Sequence, residues 1–343
     1  MNNGTLNIMD TADEKGSLTN NYDTLITNNE NAILNINSGN INLVIASQKN
    51  LINNNGTLNI NGGNITVSGA ECNAINNNGE IIINDGEILV IEKNYSRCIY
   101  NKGKTTIKNG SIRKNSGGYG AIDNYNELLI EGGEISNPNG NAIYNYVEKE
   151  LVGKIKMTGG TISANSSSIY NYNSAEIEIT DGQISSEYYG IYNYANGKIK
   201  ITGGTINSKH EALYNYNNTT GGIVEITGGK LTSSLSSAIY NRERYDNKVT
   251  IKITGGEIET TNTTSNKNNP MYTSAIYNTG YNEITLGEND GNLVDSQNPC
   301  LTGTLYGIYN NNSNCKFNFY DGIIIGKEGN SVYGKVTDVP DEY

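Results

Sequence analysis

The chain has 343 residues, of which 40 are Gly, 25 are Tyr and about one in six is Asn, and its net charge is −11. An acidic chain of this kind repels phosphate groups, which argues against nucleic acid and against an anionic membrane surface as partners. No run of about 18 apolar residues is present, so we expect no membrane insertion. Asn and Gly favour turns while Ile and Val favour strands, and the mixture predicts many short strands joined by many corners.

The N-terminal residues look like part of a repeat. They lack the basic and apolar segments of a secretory signal peptide. The sequence NNGTLNI occupies 2–8 and recurs unchanged at 54–60. We therefore expect 1–343 to be a single domain cut from a longer protein, with its start inside a repeat.

A dipeptide ending in Gly recurs along the chain, and we call it the corner. Its first residue is Gly, Asp, Asn or Ser, the residues that tolerate a positive φ angle most readily. The corners are 22–27 residues apart as far as Gly256, and the next two gaps are 35 and 31 residues. A repeat of this length predicts a solenoid. The corner glycines are Gly39, Gly63, Gly86, Gly110, Gly133, Gly160, Gly182, Gly204, Gly229, Gly256, Gly291 and Gly322.

The residues that flank each corner alternate between apolar and polar, as strands require. Ile199 and Ile201 share one face, Lys198 and Lys200 share the other, and Ile206 resumes the inward face after the corner. A third short strand reads AIYN in many repeats. Three short strands in about 23 residues predict an all-β fold, a right-handed parallel β-helix (solenoid) of about twelve coils in which each strand pairs with its copy one coil later.

The AIYN strand has two chemically different faces. If its Ile points inward, its Asn points inward as well and the Tyr between them points outward. Stacked coils then form a ladder of Asn amides inside and a column of Tyr outside. The Tyr column is either a stabilising aromatic stack or a surface that offers flat ring faces and hydroxyls to a glycan or protein, and the two roles are compatible. The candidate binding residues are Tyr144, Tyr170, Tyr192, Tyr214, Tyr240, Tyr277 and Tyr309.

The regular pattern ends near residue 240. Long insertions at 242–247, 260–274 and 286–303 make 242–303 the irregular part of the β-helix, and 334–343 is expected to leave it. Loops on a rigid scaffold often carry binding sites, although insertions tolerated without any function explain them equally well.

The four cysteines give no disulfide prediction. Strand geometry places Cys72 and Cys98 about 8 Å apart, beyond the reach of a disulfide, so both are expected to be small buried thiols. Cys300 and Cys315 lie in the irregular part and receive no assignment.

No set of residues predicts catalysis, a metal or a cofactor. His210 is the one His in the chain, so zinc sites and Ser-His-Asp triads lack components. The nearest approach to a charged cluster is contiguous, from Arg242 through Glu243 and Arg244 to Asp246. Each of four recurring carboxylates directly precedes a corner Gly, where a turn residue is expected; these are Asp85, Asp181, Asp290 and Asp321.

The TGGTI corners, the AIYN strands and the repeat length resemble the pectate-lyase-like right-handed parallel β-helix. More narrowly, they are similar to adhesin-like repeat proteins on the surface of Gram-positive anaerobic bacteria. The resemblance covers nearly the whole chain and implies a non-enzymatic, extracellular segment that acts as an adhesin or a projecting stalk, with a host or cell-wall glycan or a protein as partner. The alternative is a carbohydrate-active enzyme, a polysaccharide lyase or hydrolase, because one fold carries many functions.

Overall fold

A computed structural model of the chain describes residues 1–11, 16–21, 23–44, 49–68, 71–91, 95–217, 221–243, 248–263, 268–288 and 299–337. Strand accounts for 58% of the chain and helix for 1%, and the parallel sheets form a β-solenoid of about twelve turns, which confirms the predicted fold class. The chain divides into two compact units, Met1–Ile169 (unit 1) and Tyr170–Tyr343 (unit 2). The corner predicted at Gly291 lies outside the described residues. None of the described helices is long and apolar enough to cross a membrane.

Each coil of unit 1 contains the three predicted strands, which we call the IYN, pre-corner and post-corner strands. The IYN strands are Ile26–Asn28, Ile52–Asn54, Asn73–Asn77, Arg97–Asn101, Ile122–Asn124 and Ile143–Asn145. The pre-corner strands are Thr5–Ile8, Ile33–Ile36, Thr57–Ile60, Glu80–Ile83, Lys104–Ile107 and Glu127–Ile130. The post-corner strands are Ser17–Asn20, Asn40–Leu43, Asn64–Val67, Glu87–Val90, Ser111–Lys114 and Glu134–Asn137, and Lys154–Ala164 runs through its corner as one strand.

Unit 2 follows the same plan. A further IYN strand, Ser167–Tyr172, contains the residue at which unit 2 begins, and the others are Tyr189–Tyr194, Leu213–Asn217, Ile239–Glu243, Ser274–Asn278, Tyr306–Asn310 and Val332–Tyr333. Short strands on either side of a corner are Lys198–Ile201, Thr205–Ser208, Glu283–Leu286, Cys300–Gly303, Lys316–Phe319 and Ile323–Gly326. Three strands continue through their corners, Glu176–Ser186, Ile223–Ser233 and Thr250–Thr260.

Two small elements interrupt the repeat. In unit 1 an antiparallel pair, Val147–Glu148 with Leu151–Val152, fills one of the longer gaps between corners. In unit 2 the helix Pro270–Thr273 lies within the insertion predicted at 260–274. Asn269 caps this helix, since its side chain accepts a hydrogen bond from the Met271 amide.

In-register parallel pairing stacks like residues into columns. Ile199 pairs with Val224 and Ile201 with Ile226 in the next coil. Ile199 and Ile201 are buried whereas Lys198 and Lys200 are exposed, which confirms the predicted inward and outward faces. Each buried aliphatic side chain stabilises the fold by about 1.5–3 kcal/mol, so the columns provide most of the stability.

The corners have the backbone conformation that the sequence predicts. Every corner glycine within the described residues has a positive φ, from 76° at Gly133 to 116° at Gly322. The coils are also tightly stacked here, because a Cβ placed on Gly204 would lie 2.9 Å from the carbonyl oxygen of Gly182. Both the conformation and the close approach require Gly.

The inward Asn side chains form the predicted amide ladder. At each step, Nδ2 of one Asn donates to Oδ1 of the Asn one coil further along the chain, at 2.7–3.0 Å. Several Nδ2 groups also donate to a main-chain carbonyl after the IYN strand, as Asn193 does to Gly197 at 3.2 Å, so the donors of these amides are satisfied. The Nδ2 of Asn310, the last ladder residue, has no partner among the described residues. The ladder comprises Asn2, Asn28, Asn54, Asn77, Asn101, Asn124 and Asn145 in unit 1, and Asn171, Asn193, Asn215, Asn241, Asn278 and Asn310 in unit 2.

Candidate functional site

The alternation that buries Ile and Asn turns the intervening Tyr side chains outward. In the strand Tyr189–Tyr194, Ile191 and Asn193 are fully buried, whereas Tyr192 and Tyr194 are partly exposed. In-register pairing repeats this arrangement, and in unit 2 it produces a continuous outward column that we call the tyrosine stripe. The stripe comprises Tyr170, Tyr192, Tyr214, Tyr240, Tyr277, Tyr309 and Tyr333, flanked by Tyr172, Tyr194 and Tyr216.

Successive rings of the tyrosine stripe contact one another. Ring centroids along the column are separated by 4.3 Å between Tyr309 and Tyr333 and by 5.5 Å between Tyr277 and Tyr309. Such pairs contribute about 0.5–1.5 kcal/mol each beyond the area that they bury. The stripe is therefore a stabilising aromatic stack, whatever else it does.

The packing of the rings decides which parts of them reach solvent. Tyr214 is 7% exposed, and the other stripe residues are partly exposed. In the stacked pairs, such as Tyr309 with Tyr333, ring faces are directed at neighbouring rings, whereas in the edge-to-face pairs, such as Tyr170 with Tyr192, the edge of one ring meets the face of the other. The rings therefore reach solvent only in part, and they repeat at the coil spacing of about 4.8 Å.

A few charged groups lie beside the middle of the stripe. The Arg242 guanidinium donates to the Tyr214 hydroxyl at 2.9 Å and lies over the Tyr216 ring at 5.2 Å. Burial raises the pKa of Glu211, whose carboxylate accepts a hydrogen bond from Ser236 Oγ at 2.6 Å. Burial also raises the pKa of Tyr240 to about 12.

Tyr144, the remaining candidate from the sequence, belongs to unit 1. Its ring stacks on that of Tyr146 at 5.3 Å, and Tyr146 stacks on Tyr125 at 5.1 Å. The position that pairs with Tyr144 in the preceding coil is Asp123. The outward Tyr column of unit 1 is thus interrupted by a carboxylate.

This interruption belongs to a buried charged cluster in residues 95–124, which we call the charged coil. The Asp123 side chain is fully buried and forms an ion pair with Arg97, whose side chain is 13% exposed. Lys114, also fully buried, occupies an inward position in register with Val90. Its Nζ donates to the carbonyl oxygens of Ser116 at 2.9 Å and Tyr119 at 2.8 Å, and to that of Gly117.

Sequence reasoning missed the charged coil, although one signal was present. The strand SIRK alternates as its neighbours do, which places Lys114 where an apolar residue is expected. Burial lowers the pKa of Lys114 to about 8. The partners of Lys114 are backbone carbonyls of the following loop, and no residue type in the sequence identifies such partners.

The predicted carboxylates do not assemble a catalytic centre in the described part of the chain. An open groove of about 620 Å³ follows the corners of unit 1 and is lined by Asp85, Glu87 and Glu134 among main-chain groups. No three His, Cys, Asp or Glu side chains of the described residues could hold one metal ion. His210 stacks on Tyr188 at 5.0 Å. Asp290, Arg244 and Asp246 lie outside the described residues.

All four cysteines are free thiols. Cys72 and Cys98 are buried, as predicted, and burial raises the pKa of Cys98 to about 12. Cys315, which the sequence left unassigned, is also buried and donates through Sγ to the Gly280 carbonyl at 3.2 Å. Cys300 is partly exposed.

No protein-family model matches the chain, and comparisons with curated proteins and with solved structures gave no match.

Proposed function

We propose that this chain is a non-enzymatic β-solenoid segment of a bacterial surface protein, an adhesin or a projecting stalk, and that it contacts its partner through the tyrosine stripe of unit 2. The observation that supports the proposal is the recurrence of Tyr at one outward position of the coils. Solvent-facing positions of a solenoid can be filled by any polar residue, and the neighbouring outward positions of the same coils hold Lys and Glu, such as Lys200 and Glu225. At the stripe, Tyr recurs in coil after coil.

The geometry of the stripe favours a polar polymer as partner. Its partly exposed Tyr side chains offer hydroxyl groups, each a donor and an acceptor, together with apolar ring surface. Arg242 adds a charged donor beside Tyr214. A glycan chain or an extended protein segment that lies along the coils meets the same groups at each step, so that individually weak contacts add together.

The cell-surface location follows from the resemblance of the repeat to adhesin-like proteins and is part of the proposal. A polysaccharide lyase or hydrolase is the alternative. Asp85, Glu87 and Glu134 line the corner groove of unit 1, and no Lys or Arg is among the described residues that line it. Incubation with acidic polysaccharides, followed by assay for unsaturated or reducing ends, tests this alternative directly.

The decisive variant replaces three consecutive stripe residues, Tyr170, Tyr192 and Tyr214, by Ser. The matched control replaces three outward residues of the same coils, Glu178, Lys200 and Glu225, by Ser; these three pair in register with one another. Both variants and the parent are applied to an array of host and bacterial cell-wall glycans, and their folding is monitored by circular dichroism.

We expect the stripe variant to keep the β-sheet signal and to lose binding, while the control binds as the parent does. If the stripe variant folds and binds normally, the stripe is not the contact surface. If it unfolds while the control remains folded, the aromatic stack is structural and the proposal loses its support.

A further inference from the structure

Unit 1 contains a second aromatic surface that is unlike the tyrosine stripe. Glu71, Tyr95, Arg97 and Tyr119 line an open depression of about 380 Å³. Tyr95 is 58% exposed and Tyr119 is 36% exposed, while Tyr214 of the stripe is 7% exposed. The two rings are 5.9 Å apart and edge-to-face, so they form adjoining walls of one concavity.

One wall of this depression, formed by Arg97 and Tyr119, is held in place by buried groups. The Arg97 guanidinium carbon lies 3.5 Å from the Tyr119 ring centroid, close enough for planar stacking. Arg97 is held in turn by the buried carboxylate of Asp123, through Nε, and by Asn73 Oδ1, 3.3 Å from Nη1. Arg97 and the Tyr119 ring against which it stacks are therefore held in place before any ligand arrives, which reduces the entropy lost on binding.

The buried Lys114 holds in place the loop that carries Tyr119. Its ammonium donates to the carbonyl of Tyr119 and to two more carbonyls of the loop that leads to it. Burying a charged Lys costs free energy unless it is paired. A coil built only for stability would carry an aliphatic residue here, as the register partner Val90 does. The main effect of Lys114 is to hold the loop that presents Tyr119.

The polar groups of the depression select the class of ligand. Arg97 supplies N–H donors and Glu71 supplies a carboxylate acceptor, and both residues line the same concavity. The buried carboxylate of Asp123 offsets the charge of Arg97. A neutral ligand with adjacent hydroxyl groups can donate to Glu71 and accept from Arg97. The C–H groups of a pyranose ring can at the same time pack against an exposed phenol ring. The small volume, near the lower limit of about 300 Å³ for ligand pockets, suits a single sugar unit.

We propose that Tyr95, Arg97, Tyr119 and Glu71 form a binding site for one neutral pyranose unit of a glycan. Arg97 and Glu71 hydrogen-bond the hydroxyl groups, Tyr95 and Tyr119 pack against the ring, and Lys114 and Asp123 are positioning residues. The site lies entirely within unit 1 and does not depend on the proposed role of the tyrosine stripe.

The test uses the whole chain and the methyl glycosides of glucose, galactose, mannose and N-acetylglucosamine as probes, with saturation-transfer-difference NMR as the readout. At least one glycoside should receive saturation through its ring protons. Tyr95→Ala and Tyr119→Ala should each weaken that binding by about two- to tenfold, as expected for the loss of one aromatic contact. Thermal melts followed by circular dichroism establish that both variants are folded.

Two controls separate this site from the stripe. Tyr188→Ala removes an equally exposed Tyr, 49% exposed, from unit 2, and the triple stripe variant removes Tyr170, Tyr192 and Tyr214. Neither should change the glycoside signal. The proposal is overturned if no glycoside receives saturation, if folded Tyr95→Ala and Tyr119→Ala bind as the parent does, or if tetramethylammonium is bound at Tyr95 in place of the sugars.

Discussion

The coils of unit 2 between 189 and 217 and the charged coil of unit 1 are built on the same backbone and differ in what fills the repeat. In the first, inward positions hold Ile, Leu and Asn and outward positions hold Tyr. In the second, Lys114 takes an inward place and Asp123 takes a Tyr place. Both side chains remain buried because each finds its partners in nearby chain segments.

The comparison shows where a solenoid can acquire specificity. Neighbouring coils stabilise every regular coil in the same way. Regular coils can therefore form a surface that repeats along the solenoid, but they cannot form a binding site that occurs only once. The charged coil replaces part of the repeated packing by an ion pair and an ammonium held by carbonyls. Such pairs add little net stability, and they hold the Arg97 side chain and the main chain of Tyr119 in place.

The largest loss of stability is expected when a charged residue is placed at an inward position of a regular coil. Ile201→Asp buries a carboxylate in an aliphatic column with no partner and should cost more than about 4 kcal/mol, unfolding the neighbouring coils. Lys200→Asp, one residue away, should cost less than about 1 kcal/mol, mainly from the like charges of Glu178 and Glu225 beside it. Chemical denaturation gives both values, and similar losses for the two variants would mean that the inward face is not the structural one.

The second-largest loss of stability is expected when the ion pair of the charged coil is broken. Asp123→Ala leaves the Arg97 guanidinium largely buried without its carboxylate and should cost about 3 kcal/mol. The double variant Arg97→Gln with Asp123→Asn removes both charges while keeping similar shapes, and it should be more stable than the single variant in urea denaturation. A double variant that is less stable than Asp123→Ala would contradict the unpaired guanidinium as the cause of the loss.

Replacing a corner glycine by Val should reduce the stability of the fold by the same amount in the two regions. Val at Gly204 or at Gly110 must adopt φ near 77° or 90° and place Cβ within 3 Å of a carbonyl oxygen of the preceding coil. Each substitution should lower stability by about 1–3 kcal/mol. Thr205→Val, at the exposed residue next to Gly204, is the control and should change stability by less than about 0.5 kcal/mol. Unequal losses for the two glycines would show that the corners are not interchangeable.

The smallest loss of stability is expected from raising the pH, which ionises the partly buried Tyr side chains. Burial raises the pKa of Tyr189 and Tyr240 to about 12 in the folded chain, against about 10 for an unfolded Tyr. Because the folded state holds these protons more tightly, the stability that they contribute is complete below pH about 10 and is lost as pH rises through 12. Phenolate absorbance and circular dichroism, followed together, should show these Tyr ionising as the sheet signal falls. Ionisation of every Tyr near pH 10 with the fold intact would contradict the packing of the stripe.

The repeated parts of the fold could be predicted from the sequence because their causes are local. A positive φ at Gly204 follows from a Gly-Gly corner, and the burial of Ile201 follows from alternation. The amide ladder follows from the same alternation, yet the IYN pattern does not contain Asn28, Asn54, Asn77 or Asn124, whose strands read ITN, INN or IDN. A rule based on the distance from the inward Ile would have found them.

The parts that could not be predicted depend on contacts between distant groups. Which faces of the Tyr rings are covered depends on rotamers that neighbouring coils select together. The pairing of Arg97 with Asp123 spans one coil, and nothing in the sequence shows which of the many outward Asp and Glu residues is buried. The helix Pro270–Thr273 had a local signal, an Asn followed by Pro, inside an insertion that was interpreted only as a loop.

The amide ladder has a direction. In both units each Nδ2 points to the next coil along the chain and each Oδ1 points back, so the side-chain amide dipoles add together instead of cancelling. Aligned hydrogen-bonded dipoles polarise one another, as they do in an α-helix. Within each unit the column therefore has an electropositive end toward its C-terminal coil. In unit 2 that end is Asn310, whose buried Nδ2 donates to none of the described residues. A solenoid that looks symmetric along its strands is electrically polar along its interior.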